Sequence, residues 1–218
     1  MARTKLAVLI SGRGSNLQSL IDAATRPDYP AEISLVISNR PKAKGLERAA
    51  AANIPQYVID HKDFQTREDF DAALGDCLRL AKVDYVCLAG FMRMLTTDFV
   101  NDWRGRLINI HPSLLPAFKG LAVHERMIDA GVKLAGCTVH FVSPEMDSGP
   151  IIGQAAVPVL PGDTADSLAA RILEQEHRLY PACVALIAGK KARLSGGVVS
   201  FDPDVSFDGA LSNPPAGS

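Results

Sequence analysis

Apolar residues along this chain occur in short, nearly continuous runs that alternate with longer segments in which they recur every three or four positions. The short runs predict strands at 5–11, 33–38, 56–59, 85–89, 107–110, 134–142 and 151–159. The longer segments predict helices at 16–24, 43–52, 66–81, 97–103, 123–130 and 164–189. Continuous apolar strands are typical of parallel sheets buried on both faces. The alternation therefore predicts an α/β fold with an open, mostly parallel twisted sheet and helices on both faces, as in Rossmann-like proteins.

The second half of the chain departs from this alternation. The runs at 134–142 and 151–159 follow one another with only the turn-forming residues 145–150 between them, which predicts antiparallel strands that close the sheet. The long helix is expected to pack across them. We expect residues 1–189 to form one domain, and 190–218 to hold an edge hairpin at 193–201 and a flexible tail that is disordered from Asp208.

Composition excludes several classes of function. The 218 residues carry 23 Lys and Arg against 24 Asp and Glu, so no overall positive field exists to hold a nucleic acid. The apolar run at the start is too short for a signal peptide, and no segment approaches the roughly 18 apolar residues of a membrane span. The cysteines are scattered without the spacing of a zinc or redox motif. We expect a cytoplasmic protein with small-molecule substrates and no metal, nucleic-acid or membrane partner.

The first predicted strand runs directly into a glycine-rich turn at 11–16, and a helix follows. Glycines permit a tight turn there, and backbone N–H groups at a helix start attract an anion. Ser15 is a candidate helix cap. A plain strand-to-helix turn is one alternative, and a dinucleotide site is another. Against the dinucleotide, Leu17 stands where a third glycine is needed, although Arg40 leaves a 2′-phosphate possible. A phosphate trap is the more economical interpretation.

Two polar residues share one face of the strand at 107–110. Period-two alternation puts Asn109 and His111 on the same side, roughly 7 Å apart along the chain. Pro112 keeps His111 extended. Both side chains can stabilise a developing oxyanion, and His111 can also transfer a proton near neutral pH. The alternative is that both are satisfied core polar groups.

Three further residues are candidates whose roles the sequence leaves open. Asp147 is either a turn aspartate or, if its loop folds over the sheet, a carboxylate that favours the protonated form of His111. His140 is either a buried structural histidine or a support for the site from behind. Glu176 falls on the apolar stripe of the long helix, where a carboxylate must be paired, by a salt bridge or by a ligand's amine or hydroxyl. The remaining histidines are expected to be surface or packing residues.

Five stretches of the sequence resemble the phosphoribosylglycinamide formyltransferases, a folate-dependent family of purine biosynthesis. They are residues 9–16 (LISGRGSN), 88–94 (LAGFMRM), 109–116 (NIHPSLLP), 146–150 (MDSGP) and 175–177 (QEH). They follow the family's order and spacing, and the likeness extends to about Ala188. One departure is 121–124 (LAVH), where relatives are often more polar.

The resemblance implies a set of site residues. The positions that match the catalytic residues are Asn109, His111 and Asp147. Those that match the nucleotide-binding residues are Gly14, Ser15, Asn16, Leu173, Glu174, Gln175 and Glu176. Those that match the folate-binding residues are Arg67, Met92, Arg93, Met94, Leu95, Asn109, Ser143, Pro144, Glu145, Met146 and Asp147.

The resemblance also implies a reaction. The amine of glycinamide ribonucleotide attacks the formyl carbon of the co-substrate 10-formyltetrahydrofolate, Asn109 and His111 stabilise the oxyanion, and Asp147 supports His111 and proton transfer. No metal is implied, and the protein is expected to be a monomer or a homodimer.

Two enzyme families with the same 109–116 core are rivals, the methionyl-tRNA formyltransferases and the formyltetrahydrofolate deformylases. The first usually carries an extra C-terminal domain and the second an N-terminal regulatory domain. Little sequence follows Lys190, and the first predicted strand begins at Lys5, so the nucleotide formyltransferase is favoured. A nucleotide-binding sensor without catalysis is the remaining alternative.

Overall fold

A computed structural model describes residues 2–206 as a seven-stranded sheet flanked by helices and followed by a hairpin. The strands are β1 (Thr4–Ile10), β2 (Ala31–Ser38), β3 (Gln56–Val58), β4 (Tyr85–Leu88), β5 (Leu107–His111), β6 (Leu134–Phe141), β7 (Ile151–Pro158), β8 (Ala192–Ser195) and β9 (Val198–Phe201). The helices are α1 (Ser15–Ala24), α2 (Gly45–Ala51), α3 (Arg67–Leu80), α4 (Thr97–Asp102), α5 (Val123–Asp129) and α6 (Ala165–Ala188), with a 3-10 turn at His61–Asp63. Each predicted element is present, and none of its ends is shifted by more than two residues.

The large sheet has the strand order β3-β2-β1-β4-β5-β6-β7. Neighbouring strands from β3 to β5 are parallel, whereas β6 is antiparallel to both β5 and β7. The prediction of a mostly parallel sheet closed by antiparallel strands is confirmed. The order along the chain reverses between β1 and β4, and in sheets of this kind ligands bind in the crevice outside the carboxyl ends of such strands.

The core lies on both faces of the sheet because successive side chains of a strand point to opposite sides. In β1, Leu6, Val8 and Ile10 pack with α1 and α6, and Ala7 and Leu9 pack with α3 and α4. A third cluster joins α5 and α6 to β6 and β7. Both faces of β1 are therefore covered by helices and shielded from water, which explains its continuous apolar run.

Helix α6 is fixed to the sheet by a buried tyrosine. The Tyr180 side chain is fully buried, and its hydroxyl lies 3.0 Å from the carbonyl oxygen of Leu88 and 3.1 Å from that of Ile108. These carbonyls belong to the adjacent strands β4 and β5. Residues four apart lie on one helix face, so this attachment also directs Glu176 toward the same side.

The C-terminal part differs from its prediction. Strands β8 and β9 form the predicted hairpin, but it is a separate two-stranded sheet and does not extend the edge of the large one. The expected disorder from Asp208 concerns residues outside those that the structure describes. Within 2–206, no helix is long and apolar enough to cross a membrane.

Tyr180→Phe is expected to lower the free energy of unfolding by about 1–3 kcal/mol, because it leaves two buried carbonyls without their hydroxyl donor. Urea denaturation measures the change. Tyr57→Phe is the control, since the Tyr57 side chain is 57% exposed and no comparable loss is expected. Equal stability of Tyr180→Phe and the unchanged protein would show that the hydroxyl does not hold α6.

Candidate active site

Asn109 and His140 face each other across the β5–β6 ladder and are joined by a hydrogen bond. They are paired residues of the antiparallel register, and Asn109 Nδ2 lies 3.3 Å from His140 Nε2. His140 Nδ1 lies 2.9 Å from the Phe141 carbonyl, which can only accept, so Nδ1 carries the proton and Nε2 accepts from Asn109. Burial lowers the pKa of His140, which keeps the ring neutral. His140 therefore fixes the orientation of the Asn109 amide and leaves its second N–H available.

His111 is buried and has an acceptor on each side of its ring. Nε2 lies 3.0 Å from the Phe118 carbonyl oxygen, and Nδ1 lies 3.5 Å from Asp147 Oδ2. The two side chains of this pair are only 8% and 12% exposed. Nδ1 is the ring nitrogen that can exchange a proton with Asp147 or with a bound ligand in this arrangement. The structure thus brings Asp147 to His111, as the resemblance implied.

The loop that carries Asp147 folds back from the end of β6 because its turn is closely packed. A Cβ atom at Gly149 would lie 1.7 Å from the Phe141 carbonyl oxygen, so only glycine fits there. From the other side, the Gly120 amide donates to Asp147 Oδ2 at 2.9 Å, and the Lys119 ammonium donates to the Ser148 hydroxyl. A second loop, distant in sequence, thereby holds both the Asp147 carboxylate and the turn that carries it.

The glycine-rich turn after β1 passes very close to the start of α2. Gly14 has a φ of 70°, and a Cβ atom on it would lie 2.7 Å from the Gly45 Cα. Gly14 occupies the N-cap position and Ser15 is the first helical residue, so the prediction that Ser15 caps the helix is wrong. The contact with Gly45 sets the start of α1 instead. The N–H groups of its first turn remain available to an anion.

Glu176 and Asn16 form a buried polar pair at the start of α1. Asn16 Nδ2 donates to Glu176 Oε2 at 2.6 Å. The first partner of the buried carboxylate is therefore an amide of the protein, and neither of the two expected partners, a salt bridge or a ligand. Burial raises the pKa of Glu176, while the bond from Asn16 and the charge of His111 lower it. Asn16 Oδ1 is buried without a partner among residues 2–206. A free acceptor beside a buried carboxylate suits a ligand amine or hydroxyl.

The other residues implied for the nucleotide and the folate differ in exposure. Leu173 and Gln175 are half-buried and Glu174 is exposed on α6. Met92 and Met94 are 62% and 54% exposed in the β4–α4 segment. Arg67 is exposed at the start of α3, and Pro144, Glu145 and Met146 are exposed in the loop that leads to Asp147. These exposed side chains are accessible to a ligand.

Some site neighbours gave no signal in the sequence. The Ser11 hydroxyl accepts from the Met92 amide, and the Phe118 carbonyl contacts His111. Neither contact produces a periodic pattern in the sequence. His124, expected to be a surface or packing residue, is half-buried, and burial and the charge of His111 both lower its pKa.

Nucleophilic thiols and metal ligands are not evident in the part of the chain that the structure describes. Cys87, Cys137 and Cys183 are buried, and burial raises the pKa of each thiol to about 12. These thiols therefore stay protonated at neutral pH. No group of three or more His, Cys, Asp or Glu within residues 2–206 is placed to hold a metal ion.

Glu176→Gln is expected to stabilise the protein without ligand, and more so at alkaline pH. Because the folded-state pKa of Glu176 is raised, the folded protein binds more protons than the unfolded chain between the ordinary and the raised pKa, so stability falls as pH rises through that window. Gln removes this loss and still accepts from Asn16. Urea denaturation at pH 4.5 and pH 8 measures the difference. Glu174→Gln, at an exposed position of the same helix, is the control. Equal gains in the free energy of unfolding at both pH values would contradict a cost of burying the ionised Glu176 carboxylate.

Comparison with known proteins gives a consistent family. The formyl transferase family model matches residues 4–184. The trifunctional purine biosynthetic protein adenosine-3 of Drosophila melanogaster is 53% identical over 200 residues, which are 91% of this chain but 15% of that protein. The phosphoribosylglycinamide formyltransferase of Haemophilus influenzae is 45% identical over 198 residues, which are 91% of this chain and 93% of that protein.

Solved structures agree with this result. The crystal structure of phosphoribosylglycinamide formyltransferase from Anaplasma phagocytophilum has a TM-score of 0.87 and 48% identity, and the match covers 94% of this chain and 97% of that one. Glycinamide ribonucleotide transformylase 1 from Symbiobacterium toebii has a TM-score of 0.88 and 46% identity, with coverage of 91% and 94%. With the family model spanning most of its length, the chain belongs to the formyl transferase family.

Proposed function

We propose that this chain transfers the formyl group of 10-formyltetrahydrofolate to the amine of phosphoribosylglycinamide, a step of purine biosynthesis. The observation that carries the proposal is the buried pairing of His111 with Asp147 beside an oriented Asn109 amide. The names of the Haemophilus influenzae and Drosophila melanogaster relatives support the substrate and the pathway.

The nucleotide is proposed to bind between α1 and α6. Its phosphate would be held by Gly14, Ser15 and Asn16, whose backbone N–H groups begin α1. The unpartnered Asn16 Oδ1 and the buried Glu176 carboxylate suit the ribose hydroxyls or the amine, and both can only accept from them. The α6 residues Leu173 to Glu176 are proposed to form the other wall of this nucleotide site. The orphaned acceptor supports the assignment because a buried polar atom normally has a partner.

The folate is proposed to lie across the neighbouring crevice. The segments implied for it are Met92–Leu95 and Ser143–Asp147, with Asn109 between them and Arg67 at the outer side. Both segments have exposed side chains, and the second ends at Asp147, which is paired with His111. The formyl carbon and the amine can then meet beside the Asn109 amide.

The reaction needs one bond formed and one broken, with a proton moved. The amine lone pair attacks the formyl carbon and the carbonyl becomes an oxyanion, to which the free N–H of Asn109 and a protonated His111 can donate. Collapse breaks the bond from the formyl carbon to N10 of the folate. Asp147 is placed to receive the proton that the amine loses and to return it, through His111 or water, to the leaving nitrogen. No metal enters this scheme.

The cellular location and the oligomeric state are predicted from the sequence alone. We propose that the protein acts in the cytoplasm, as a monomer or a homodimer, on small molecules alone.

The direct test is incubation of the purified chain with phosphoribosylglycinamide and 10-formyltetrahydrofolate, with product formation followed by mass spectrometry. Amine-dependent appearance of formylglycinamide ribonucleotide is expected. Formate release that does not need the amine would instead indicate a hydrolase. Binding of the nucleotide without any turnover would indicate a sensor, and either result overturns the proposal.

His111→Ala is expected to lower kcat by about 10² or more with the fold retained, because it removes an oxyanion donor that also handles protons. Steady-state kinetics measures kcat, and circular dichroism checks that the fold is retained. His61→Ala is a matched control for kcat, since His61 contacts only Asn39 and Asp60 in the described contacts and none of Asn109, His111 and Asp147. A variant that keeps near-normal kcat would remove His111 from the proposed chemistry.

A further inference from the structure

The segment Met92–Thr96, which joins β4 to α4, is held at each end by a buried side chain that lies outside the proposed catalytic trio. At its beginning, the Met92 amide donates to Ser11 Oγ at 2.7 Å. At its end, the Thr96 amide donates to Asp71 Oδ2 at 2.6 Å. Ser11 and Asp71 are each 4% exposed, so water does not compete for either contact. A short exposed segment thus has two rigid attachments.

The first attachment is part of a group of hydrogen bonds around Asn39, the residue that follows β2. The Ser11 hydroxyl donates to Asn39 Oδ1 at 2.6 Å, so its single proton is used there and its lone pair is left for Met92. The Asn39 carbonyl oxygen in turn lies 2.9 Å from His61 Nδ1. The hydrogen bond to Asn39 therefore fixes the Ser11 hydroxyl, which cannot rotate away from Met92 without losing this buried contact.

The second attachment is a carboxylate whose burial is costly. Burial raises the pKa of Asp71, while its bonds to Thr96 and the charge of Arg93 lower it. Its second oxygen, Oδ1, has no hydrogen-bond partner among residues 2–206. A carboxylate kept in this position at such a cost is unusual for a residue that only packs.

Arg93 adds an inward contact in the middle of the segment. Its guanidinium carbon lies 4.6 Å from the centre of the Phe70 ring, which is fully buried beside Asp71. Met92 and Met94, on either side of Arg93, are 62% and 54% exposed. The segment therefore has fixed ends, an inward arginine and two outward methionines.

We propose that Ser11 and Asp71 are positioning residues that hold Met92–Leu95 in the shape that receives the folate co-substrate. The inference rests on the proposed function, because the family resemblance places the folate on this segment. A loop that is already ordered loses little conformational entropy when a ligand binds, so the two attachments improve affinity without touching the ligand. They contact no reacting atom, and kcat at saturating folate does not depend on them.

The test compares Ser11→Ala, Asp71→Ala and Asp71→Asn in the full chain. Ser11→Ala should raise KM for 10-formyltetrahydrofolate about 3- to 10-fold, and Asp71→Ala about 10-fold or more, the effects of losing a neutral and a charged hydrogen bond. Asp71→Asn should recover most of the loss, because its amide oxygen still accepts from Thr96. KM for the nucleotide and kcat should change less than about 2-fold in all three.

Hydrogen exchange measured by NMR gives a readout that does not depend on catalysis. The Met92 amide should exchange at least about 10-fold faster in Ser11→Ala, and the Thr96 amide likewise in Asp71→Ala but not in Asp71→Asn. Ser34→Ala and Asp76→Ala are matched controls, since Ser34 bonds the Leu6 carbonyl away from the segment and Asp76 is an exposed residue of α3. Neither should change the folate KM.

The outcomes separate this inference from the proposed function. Wild-type turnover with an unchanged folate KM in Ser11→Ala and Asp71→Ala overturns the inference alone. A parallel rise of both KM values or a loss of kcat shows a general structural role and also overturns it. Absence of folate-dependent turnover in the wild type defeats the proposed function, and this inference with it.

Discussion

The register between β5 and β6 is the constraint on which the site depends. Their antiparallel pairing sets Asn109 opposite His140 and His111 opposite Thr138. The first pairing orients the Asn109 amide through a neutral imidazole. The same register ends β6 beside the start of β5, where Val142 donates to the Leu107 carbonyl at 2.9 Å, so the following loop has to fold back to bring Asp147 to His111. A slip by one residue would turn these side chains to the opposite face.

Buried charge is the second feature that links structure and function. Glu176 and Asp71 are both nearly buried carboxylates without a cationic hydrogen-bond partner in the described contacts, and burial raises the pKa of each. Such groups lower stability unless something compensates them. Glu176 accepts from the Asn16 amide and is proposed to accept from the nucleotide as well, and Asp71 accepts from the Thr96 amide at the end of the segment proposed to receive the folate. The protein therefore gives up stability at the two places where it is proposed to hold its two substrates.

The sequence predicted the elements because both signals it used are local. Continuous runs located the strands, and the two-residue period put Asn109 and His111 on one face. His140 could not be assigned as the partner of Asn109, since that contact depends on the register of two strands about 30 residues apart. Ser15 was wrongly predicted as a helix cap because the close contact of Gly14 with Gly45 is not local. Ser11 and Asp71 escaped notice because each binds a backbone amide, which any residue supplies.

The most direct measurement is a crystal structure of the chain with phosphoribosylglycinamide and tetrahydrofolate bound together. We expect the phosphate on the backbone of Gly14–Asn16, and the amine facing N10 of the folate in the space between Asn109, His111 and Asp147. Asn16 Oδ1 or Glu176 should accept a hydrogen bond from the nucleotide. A complex in which the amine lies beyond hydrogen-bond reach of Asn109 and His111, or in which the folate leaves Met92–Leu95 uncovered, would contradict the arrangement proposed for the reaction.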